Sequence, residues 1–341
     1  MSPGAGSHPA GGPRPADGRR GFLDGEARGR RGRPDTDAGR SYYGQPVLNP
    51  PTWAALDIAG YLFLGGLAGG SSALAAATEA KGIEGLGRPL RMGAAGAIGL
   101  SLVALVHDLG RPGRFYNMLR VFKPSSPMSV GSWILSVYGP AAIAAAVLDV
   151  VPLPGPLASA RRPLQKAASV TAGLIGPVVT TYTGVLVADT AVPAWHGGYR
   201  EMPFLFAGSA GSASGGLGLL TVPPMRAAPA RRLAVTGAVA ELTALRVMKA
   251  RMGLPAETYD QGRAGRLMKA AETLTVAGTT GAVVGRRSRL ASAAAGACLL
   301  AGSALTRFGV FQAGVQSAED PRYTVEPQRA RLAARPGSPS A

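Results

Sequence analysis

The stretch His107-Asp108-Leu109-Gly110-Arg111-Pro112 separates two long apolar runs and sets where one helix stops before the next begins. Because the proline ring disfavours helical geometry at the residue before it, the first helix is predicted to end by Arg111. Ser129 is a suitable cap for a second helix that starts at Val130. The loop between them, residues 109–129, is polar and basic. A loop that only connects two apolar helices does not require so many polar and basic side chains.

Outside this loop the composition is that of a membrane protein. Of the 341 residues 46% are apolar and 16% are charged, whereas about a quarter are charged in a soluble domain. The charge is concentrated at the two ends and in short interruptions between apolar runs. The net charge of +17 argues only weakly for a nucleic-acid partner, because Lys and Arg beside apolar runs set topology and meet anionic lipid.

Eight apolar runs follow one another, and each is long enough for one helix across the roughly 30 Å of hydrocarbon in a bilayer. They lie near residues 53–78, 91–108, 130–151, 167–188, 202–223, 232–249, 268–285 and 290–311. The predicted fold is therefore an all-α integral membrane protein, with eight transmembrane helices in a domain at 42–315. A basic Gly-, Pro- and Arg-rich tail, residues 1–41, is predicted to be disordered, and a polar tail follows at 316–341.

With an even number of spans, both ends of the chain lie on one membrane face, which we name side A. The loops on side A are 109–129, 189–201 and 251–269, and those on the opposite face, side B, are near 79–91, 152–166, 224–231 and 286–289. The Lys and Arg count favours side A as the cytoplasmic face, although both faces are basic and the orientation stays open.

Glycine and other small residues dominate several runs, as in residues 64–72 and 208–216. Small side chains let helix backbones approach closely in lipid. These runs lie in the middle of predicted helices and lack the surroundings of a phosphate-binding loop. We therefore predict that they pack helices together.

Few residues in the chain are suited to holding a metal or a haem. Cys298 is the one cysteine, so a disulfide within the chain, an iron–sulfur cluster and a Cys-based zinc site are all excluded. The three histidines, His8, His107 and His196, offer no plausible intramembrane pair of haem ligands. The prediction is a subunit with neither haem nor metal of its own.

Ionisable and aromatic side chains recur at the span ends on side A. Such groups are costly to place in a membrane and are therefore candidates for a functional site. Odd spans start on side A and even spans end there, so residues near these ends lie at a similar depth in the membrane. These residues are Asp57, His107, Asp108, Trp133, Tyr182, Asp189, Glu201, Arg246, Glu272 and Arg307. Tyr61 lies one helical turn after Asp57, on the same face.

Plainer explanations for some of these residues stay open. Glu201, Arg246 and Arg307 can be interfacial residues whose charged ends reach the headgroups. His107 and Asp108 can simply end a helix, and Tyr182 can be an interfacial aromatic residue. The shared depth, more than any single residue, is the argument for a site.

Carboxylates, a histidine and a tyrosine at one membrane face suit the headgroup of a quinone. Its carbonyls need hydrogen-bond donors such as Tyr or His, and its redox chemistry needs a proton donor or acceptor within hydrogen-bond reach. A transporter would instead concentrate polar groups and broken helices near the midplane. The middles of these spans are mostly Gly, Ala, Val and Leu, which favours a redox site near the surface over a transport path.

The chain resembles the NrfD-like family of membrane subunits, which anchor polysulfide reductases and related iron–sulfur molybdoenzymes. The matching segments are 61–70, the loop motif 107–112 with 114–115 and 117–119, 126–129 through Trp133, 182–186, 203–204 and 206–209. The resemblance covers roughly residues 42–330, and the loop motif is its most specific part.

The resemblance implies eight transmembrane helices in two four-helix bundles, with no haem. It also implies a quinone site near the face where a four-cluster, ferredoxin-like iron–sulfur subunit docks, which passes electrons between the quinone pool and a molybdopterin catalytic subunit. Family positions at the start of the first helix and a tyrosine of the fourth helix correspond to Asp57, Tyr61 and Tyr182 here. The substrate of the catalytic partner (polysulfide, formate or a related compound) stays open.

These lines lead to a hypothesis of a quinone-reactive subunit in the plasma membrane, with menaquinone or ubiquinone as its bound substrate. Tyr182 and His107 are assigned to the quinone carbonyls, and Tyr61 and Trp133 are further quinone-binding residues. We assign proton exchange, or the orientation of the other site residues, to Asp57, Asp108 and Asp189. Arg111 and Arg114 are assigned to docking the iron–sulfur subunit or to fixing the loop. The alternatives are a passive anchor without quinone chemistry, a secondary transporter and a haem-bearing anchor.

Overall fold

The computed structural model describes residues 47–48, 51, 53–108, 113, 117, 119–152 and 154–333. The described residues form helices and turns and no strand, which confirms the all-α prediction. The chain divides into two units, Met1–Ala38 and Gly39–Ala341, and every described residue belongs to the second. The predicted disordered tail, Arg111, Arg114 and the side chain of Asp108 lie outside the described residues.

The described part of the chain contains eight long helices and two shorter ones. In chain order they are α1 Ala55–Ala80, α2 Gly87–Asp108, α3 Pro127–Val150, α4 Arg161–Ala188, α5 Pro193–Gly197, α6 Met202–Thr221, α7 Ala228–Met252, α8 Gly262–Val284, α9 Arg289–Glu319 and α10 Arg322–Ala333. Short 3-10 turns occupy Gly155–Ala158 and Leu254–Tyr259. Each predicted apolar run coincides with one of the long helices. The runs at 53–78, 130–151, 202–223 and 268–285 extend one or two residues beyond the helix, and α9 continues past the expected end at 311.

The start of α3 differs from the prediction. Ser126, not Ser129, is the N-cap, because its hydroxyl accepts a hydrogen bond from the Ser129 amide at 3.5 Å. Pro127 then takes the first helical position, where its fixed φ is preorganised and its missing N–H costs nothing. The Ser129 hydroxyl instead donates to the carbonyl of Val121 at 3.0 Å and ties the preceding loop to the helix.

Five helices are long and apolar enough to cross a membrane. In the described part of the chain these are Ala55–Ala80, Gly87–His107, Pro127–Val150, Arg161–Ala188 and Arg289–Glu319. Helix α6 is rich in Gly and Ser, and α7 and α8 carry several Lys, Arg and Glu residues, which lowers their hydropathy. The protein is thus a multi-pass integral membrane protein, and crossing by α6, α7 and α8 stays a prediction.

Helix α1 has neighbours on all sides and lies at the centre of the helical domain. It packs on α2 and α4, and α3 closes this group by packing on α2 and α4. Helices α6 to α9 form a second group through the pairs α6–α7, α8–α9 and α6–α9. Helix α1 also contacts α6 and α9, and α4 contacts α6, so the two groups share the faces of α1 and α4.

The glycine runs lie at the closest of these contacts, as predicted. A Cβ on Gly69 of α1 would overlap the carbonyl oxygen of Gly176 on α4, and a Cβ on Gly176 would overlap Gly69. Gly208 of α6 is held equally close to Gly237 and Glu241 of α7. The backbones touch at these points, which maximises van der Waals contact between the helices. Such contact matters because the hydrophobic effect does not drive helices together in lipid.

We expect Gly69→Ala to destabilise the protein by about 1–3 kcal/mol, because the added methyl group forces α1 and α4 apart. Gly60→Ala, in the same helix, is the matched control, since a Cβ there meets nothing within 4 Å. The control should be neutral or stabilising by up to ~1 kcal/mol. Thermal unfolding of the two purified variants in detergent tests this, and equal midpoints would contradict the close-contact argument.

Candidate functional site

The first element of the site joins the start of α1 to the end of α2 on side A. Asp57 lies in the first turn of α1, where the helix dipole favours a carboxylate. Its Oδ2 is 3.0 Å from Nδ1 of His107, in the last turn of α2. The Asp57 side chain is 20% exposed and the His107 side chain 77% exposed, so the pair links a half-buried carboxylate to the aqueous face. The structure therefore brings together two residues that the sequence placed at one depth.

The second element is a pair of tyrosines beneath the first. Tyr61, one turn after Asp57, is buried, and its hydroxyl lies 3.4 Å from the hydroxyl of Tyr182 on α4. Because one hydroxyl donates to the other, the accepting hydroxyl keeps a proton that it can donate elsewhere. Helix α1 thus presents a carboxylate and a phenol on one face, with partners from α2 and α4.

Two small residues, which the sequence reasoning missed, make this arrangement possible. Gly131 of α3 lies directly against the Tyr182 ring, and any Cβ there would overlap the ring. The hydroxyl of Ser101 on α2 donates to the carbonyl of Tyr61 at 3.3 Å and holds α2 beside α1 at this level. In the sequence, each of these two positions is only a small residue in an apolar helix. Many other positions fit the same description, so the sequence does not single these two out.

The remaining predicted residues have contacts of their own. Trp133 on α3 is 40% exposed, and its ring meets Phe122 edge-on with centroids 6.2 Å apart. Asp189 caps the C-terminus of α4 and is exposed. Within the described residues, no hydrogen bond or ion pair joins either of them to Asp57, Tyr61, His107 or Tyr182.

An aromatic stack anchors the segment that leads into α1. Trp53 stacks on Trp195 of α5, with ring centroids 5.8 Å apart and 13° between the planes. Trp195 is buried, and its indole N–H donates to the carbonyl of Val310 on α9 at 2.8 Å. The start of α1, and with it Asp57, is therefore positioned against α5 and α9.

A buried arginine, Arg307 of α9, contradicts the interfacial explanation that its position near a span end allowed. It is 0% exposed, its Nη2 donates to the carbonyl of Phe206 at 2.8 Å, and its guanidinium carbon lies 3.8 Å from the Phe206 ring centroid. Nη2 would also lie 3.4 Å from a Cβ on Gly66 of α1. Arg307 therefore points into the helical core and does not reach the headgroups.

A buried glutamate near the middle of α7 is a second residue that the sequence reasoning missed. Glu241 is 2% exposed, with Oε1 accepting from the Thr306 hydroxyl at 2.7 Å and Oε2 from the Ser212 hydroxyl at 3.5 Å. The expectation that the middles of the spans lack charge is thus wrong for α7. The available signal was a lone carboxylate in the otherwise apolar stretch 237–245.

Two ion pairs at side A behave as surface features. Arg251 donates to both carboxylate oxygens of Glu201, at 2.7 and 2.6 Å, and this hydrogen bonding lowers the pKa of Glu201 below its usual value. The contribution of this pair to stability is therefore lost as the pH falls through that lowered pKa. Arg246 lies 3.7 Å from Glu272 with 73% of its side chain exposed. The exposed Arg246 side chain agrees with the interfacial explanation, which stays a prediction for Glu201, whose side chain is 12% exposed.

A comparison with protein families gives one match. The model of the family described as NrfD, polysulphide reductase, matches residues 46–254, well over half of the chain. The matched range includes Asp57, Tyr61, His107, Tyr182 and Glu241 and ends before Arg307. No curated protein matches the chain.

We expect Arg307→Leu to destabilise the protein by about 1.5–3 kcal/mol, because it removes the charged hydrogen bond to the Phe206 carbonyl and the contact with the Phe206 ring. Arg246→Leu is the control, and its exposed ion pair should cost about 1 kcal/mol or less. Chemical denaturation in detergent micelles measures both. Similar free energies of unfolding for the two variants would show that Arg307 is not held in the core.

Proposed function

The chain belongs to the NrfD, polysulphide reductase, family, and from this premise we propose that it is the non-haem, quinone-reactive membrane subunit of an oxidoreductase complex. Members of this family are membrane subunits of oxidoreductase complexes and do not catalyse a reaction on their own. The finer proposal is that this chain passes electrons between menaquinone or ubiquinone and a peripheral pair of subunits, a four-cluster iron–sulfur protein and a molybdopterin enzyme.

The observation that carries the quinone proposal is the meeting of two polar pairs along one face of α1. Asp57–His107 and Tyr61–Tyr182 bring side chains from three helices to the side A end of an otherwise apolar helical group. The donor set fits a quinone headgroup, which needs one hydrogen bond to each carbonyl and a group that exchanges protons. Apolar helices around the pairs suit an isoprenoid tail.

Each residue then has a definite task. With Tyr61 donating to the Tyr182 oxygen, Tyr182 donates its own proton to one quinone carbonyl. When protonated, His107 donates Nδ1–H to Asp57 and Nε2–H to the other carbonyl. A bound quinone takes up two electrons and two protons on reduction, and the exposed His107 ring exchanges its proton with the aqueous face. Asp57 orients that ring.

Other predicted residues keep supporting roles in this proposal. Asp108 and Asp189 exchange protons at side A, and Trp133 contacts the quinone from α3. Arg111 and Arg114 follow His107 in the loop between α2 and α3, so we assign them to docking the iron–sulfur subunit beside the quinone. With these assignments, the iron–sulfur subunit, which donates or accepts the electrons, and the quinone lie at the same membrane face.

We also propose that all eight long helices cross the plasma membrane, as two four-helix bundles. The packing of α1 to α4 with one another, and of α6 to α9 with one another, supports this arrangement. Burial of the Gly- and Ser-rich α6 between the two groups explains how a helix of modest hydropathy is kept from lipid.

We expect Tyr182→Phe to lower quinol-linked turnover of the assembled complex at least about tenfold, because losing one hydrogen bond to a carbonyl that gains charge costs roughly 1.5–3 kcal/mol. Activity with an artificial dye should stay intact, because the dye bypasses the quinone. Tyr138→Phe is the matched control, since this tyrosine is also buried among α1 to α4 but bonds to Ser72 at 2.9 Å.

Unchanged quinone turnover in Tyr182→Phe, together with normal assembly, would remove Tyr182 from the site. If the complex assembles but binds no quinone analogue and shows no quinol-linked activity, the chain is a passive anchor.

The docking role of the basic loop has its own test. The double substitution Arg111→Ala with Arg114→Ala should reduce co-purification of the iron–sulfur subunit severalfold at physiological salt, because two complementary charges are lost. Arg286→Ala with Arg287→Ala, on side B, removes the same charge and should leave co-purification unchanged. An equal loss in both variants would assign the effect to net charge and not to docking.

A second candidate function, transport, is favoured by one observation. Buried ionisable residues such as Glu241 and Arg307 are typical of substrate and ion paths through membranes. Solute or ion uptake by the chain alone in vesicles, abolished by Glu241→Gln, would establish it. Quinol-linked activity that survives Glu241→Gln, with no uptake, would leave the pair a structural feature.

A further inference from the structure

A cavity of about 420 Å³ opens on side B, far along the helices from the quinone-site residues. It lies between the C-terminal ends of α1 and α3 and the N-terminal end of α4. Its lining residues are Glu79, Leu148, Asp149, Arg161, Arg162, Gln165 and Lys166. No part of the proposed quinone chemistry uses this cavity.

The two carboxylates in its wall share one arginine. Arg91 of α2 donates to both oxygens of Asp149, at 2.5 and 3.1 Å, and to Glu79 at 3.2 Å. The Ser169 hydroxyl adds a hydrogen bond to Glu79 at 3.0 Å. Arg91 is 12% exposed, and its one positive charge compensates one of the two carboxylate charges. One negative charge is therefore left against the cations of the lining.

The three cations of the lining are not neutralised in the same way. The Arg161 guanidinium donates to the carbonyls of Leu148 and Asp149, at 2.7 and 2.8 Å, so it keeps its full charge. Arg162 and Lys166 are exposed, and among the described residues neither forms an ion pair with a carboxylate. The cavity therefore has a net positive charge.

Hydrogen-bond donors without partners also indicate that the cavity suits an anion. Helix α4 has 28 residues, and its N-cap, Ala160, provides no side-chain bond to the first amides. Unsatisfied amides and the helix dipole together make such an end attractive to an anion. Gln165, which lines the cavity, is 9% exposed, and its Nε2 has no hydrogen-bond partner among the described residues.

We propose that this cavity binds the phosphate group of an anionic phospholipid. Both α3 and α4 are long and apolar enough to cross the membrane, so their ends lie at the depth of lipid headgroups. Leu164 and Val150, beside the cavity in sequence, are 51% and 49% exposed and give an acyl chain an apolar surface. Arg161, Arg162 and Lys166 hold the phosphate oxygens together with the backbone amides of Arg161 and Arg162, because Pro163 has no N–H.

The test measures binding of labelled phosphatidylglycerol, from mixed detergent micelles, to the immobilised full chain. Competition with unlabelled phosphatidylglycerol, phosphatidylcholine and inorganic phosphate separates the ligands. We expect phosphatidylglycerol to compete, and phosphatidylcholine and inorganic phosphate to compete poorly. Competition by inorganic phosphate at the same concentration as the lipid would overturn the lipid assignment in favour of a free-anion site.

Three variants locate the site. Arg162→Ala with Lys166→Ala should weaken phosphatidylglycerol binding roughly tenfold or more, as expected for two cations near a lipid headgroup. Arg286→Ala with Arg287→Ala removes two exposed cations from another side B loop and should change binding less than about twofold. Gln165→Leu removes the donor without a partner, and should weaken lipid binding while the unfolding midpoint is kept or raised.

Equal weakening in the two double variants, or no saturable binding by the unaltered chain, would overturn the proposal. Size-exclusion profiles confirm that each variant is folded. The substitutions of all three variants lie on the opposite face from the quinone-site residues. Quinol-linked turnover should therefore stay unchanged, and the outcome is independent of the proposed function.

Discussion

Backbone contact between helices is the constraint on which the rest of the structure depends. Lipid is as apolar as the helix surfaces, so the helices are held by close packing and by internal hydrogen bonds. Gly69 and Gly176 let α1 and α4 touch, and Gly208 and Gly237 do the same for α6 and α7. Because α1 is packed in this way, a polar group on it needs a partner inside the helical domain, and Asp57, Tyr61 and Ser72 find theirs on neighbouring helices.

That requirement explains where the candidate site lies. Asp57 and Tyr61 share a face of α1, and their partners come from the end of α2 and from α4. Gly131 and Ser101 add no chemistry of their own, yet they provide the space for Tyr182 and the distance between α1 and α2. The geometry of the candidate site thus depends on small residues that carry no chemical signal in the sequence.

Charge is handled differently at the three levels of the molecule. On side A, His107 and the Glu201–Arg251 pair remain in contact with water. In the interior, Glu241 and Arg307 are buried with hydroxyl and carbonyl partners. On side B, Arg91 bridges two carboxylates, and Arg162 and Lys166 of α4 are exposed. Only the outer two levels meet headgroups and water, which is why ligand binding is proposed there.

The sequence alone determined the all-α membrane class, the approximate positions of the helices and the shared depth of Asp57, His107 and Tyr182. These follow from hydrophobic length and from counting spans, which need no knowledge of rotation about a helix axis. Only the tertiary structure decided which faces meet. It placed Arg307 in the core, paired Tyr61 with Tyr182, revealed Glu241 near the middle of α7 and made Ser126 the cap of α3. The physical reason is that the partner of a side chain depends on the rotation of its helix and on contacts between segments distant in the chain. In helices this rich in glycine, the hydropathy pattern specifies neither the rotation nor the contacts.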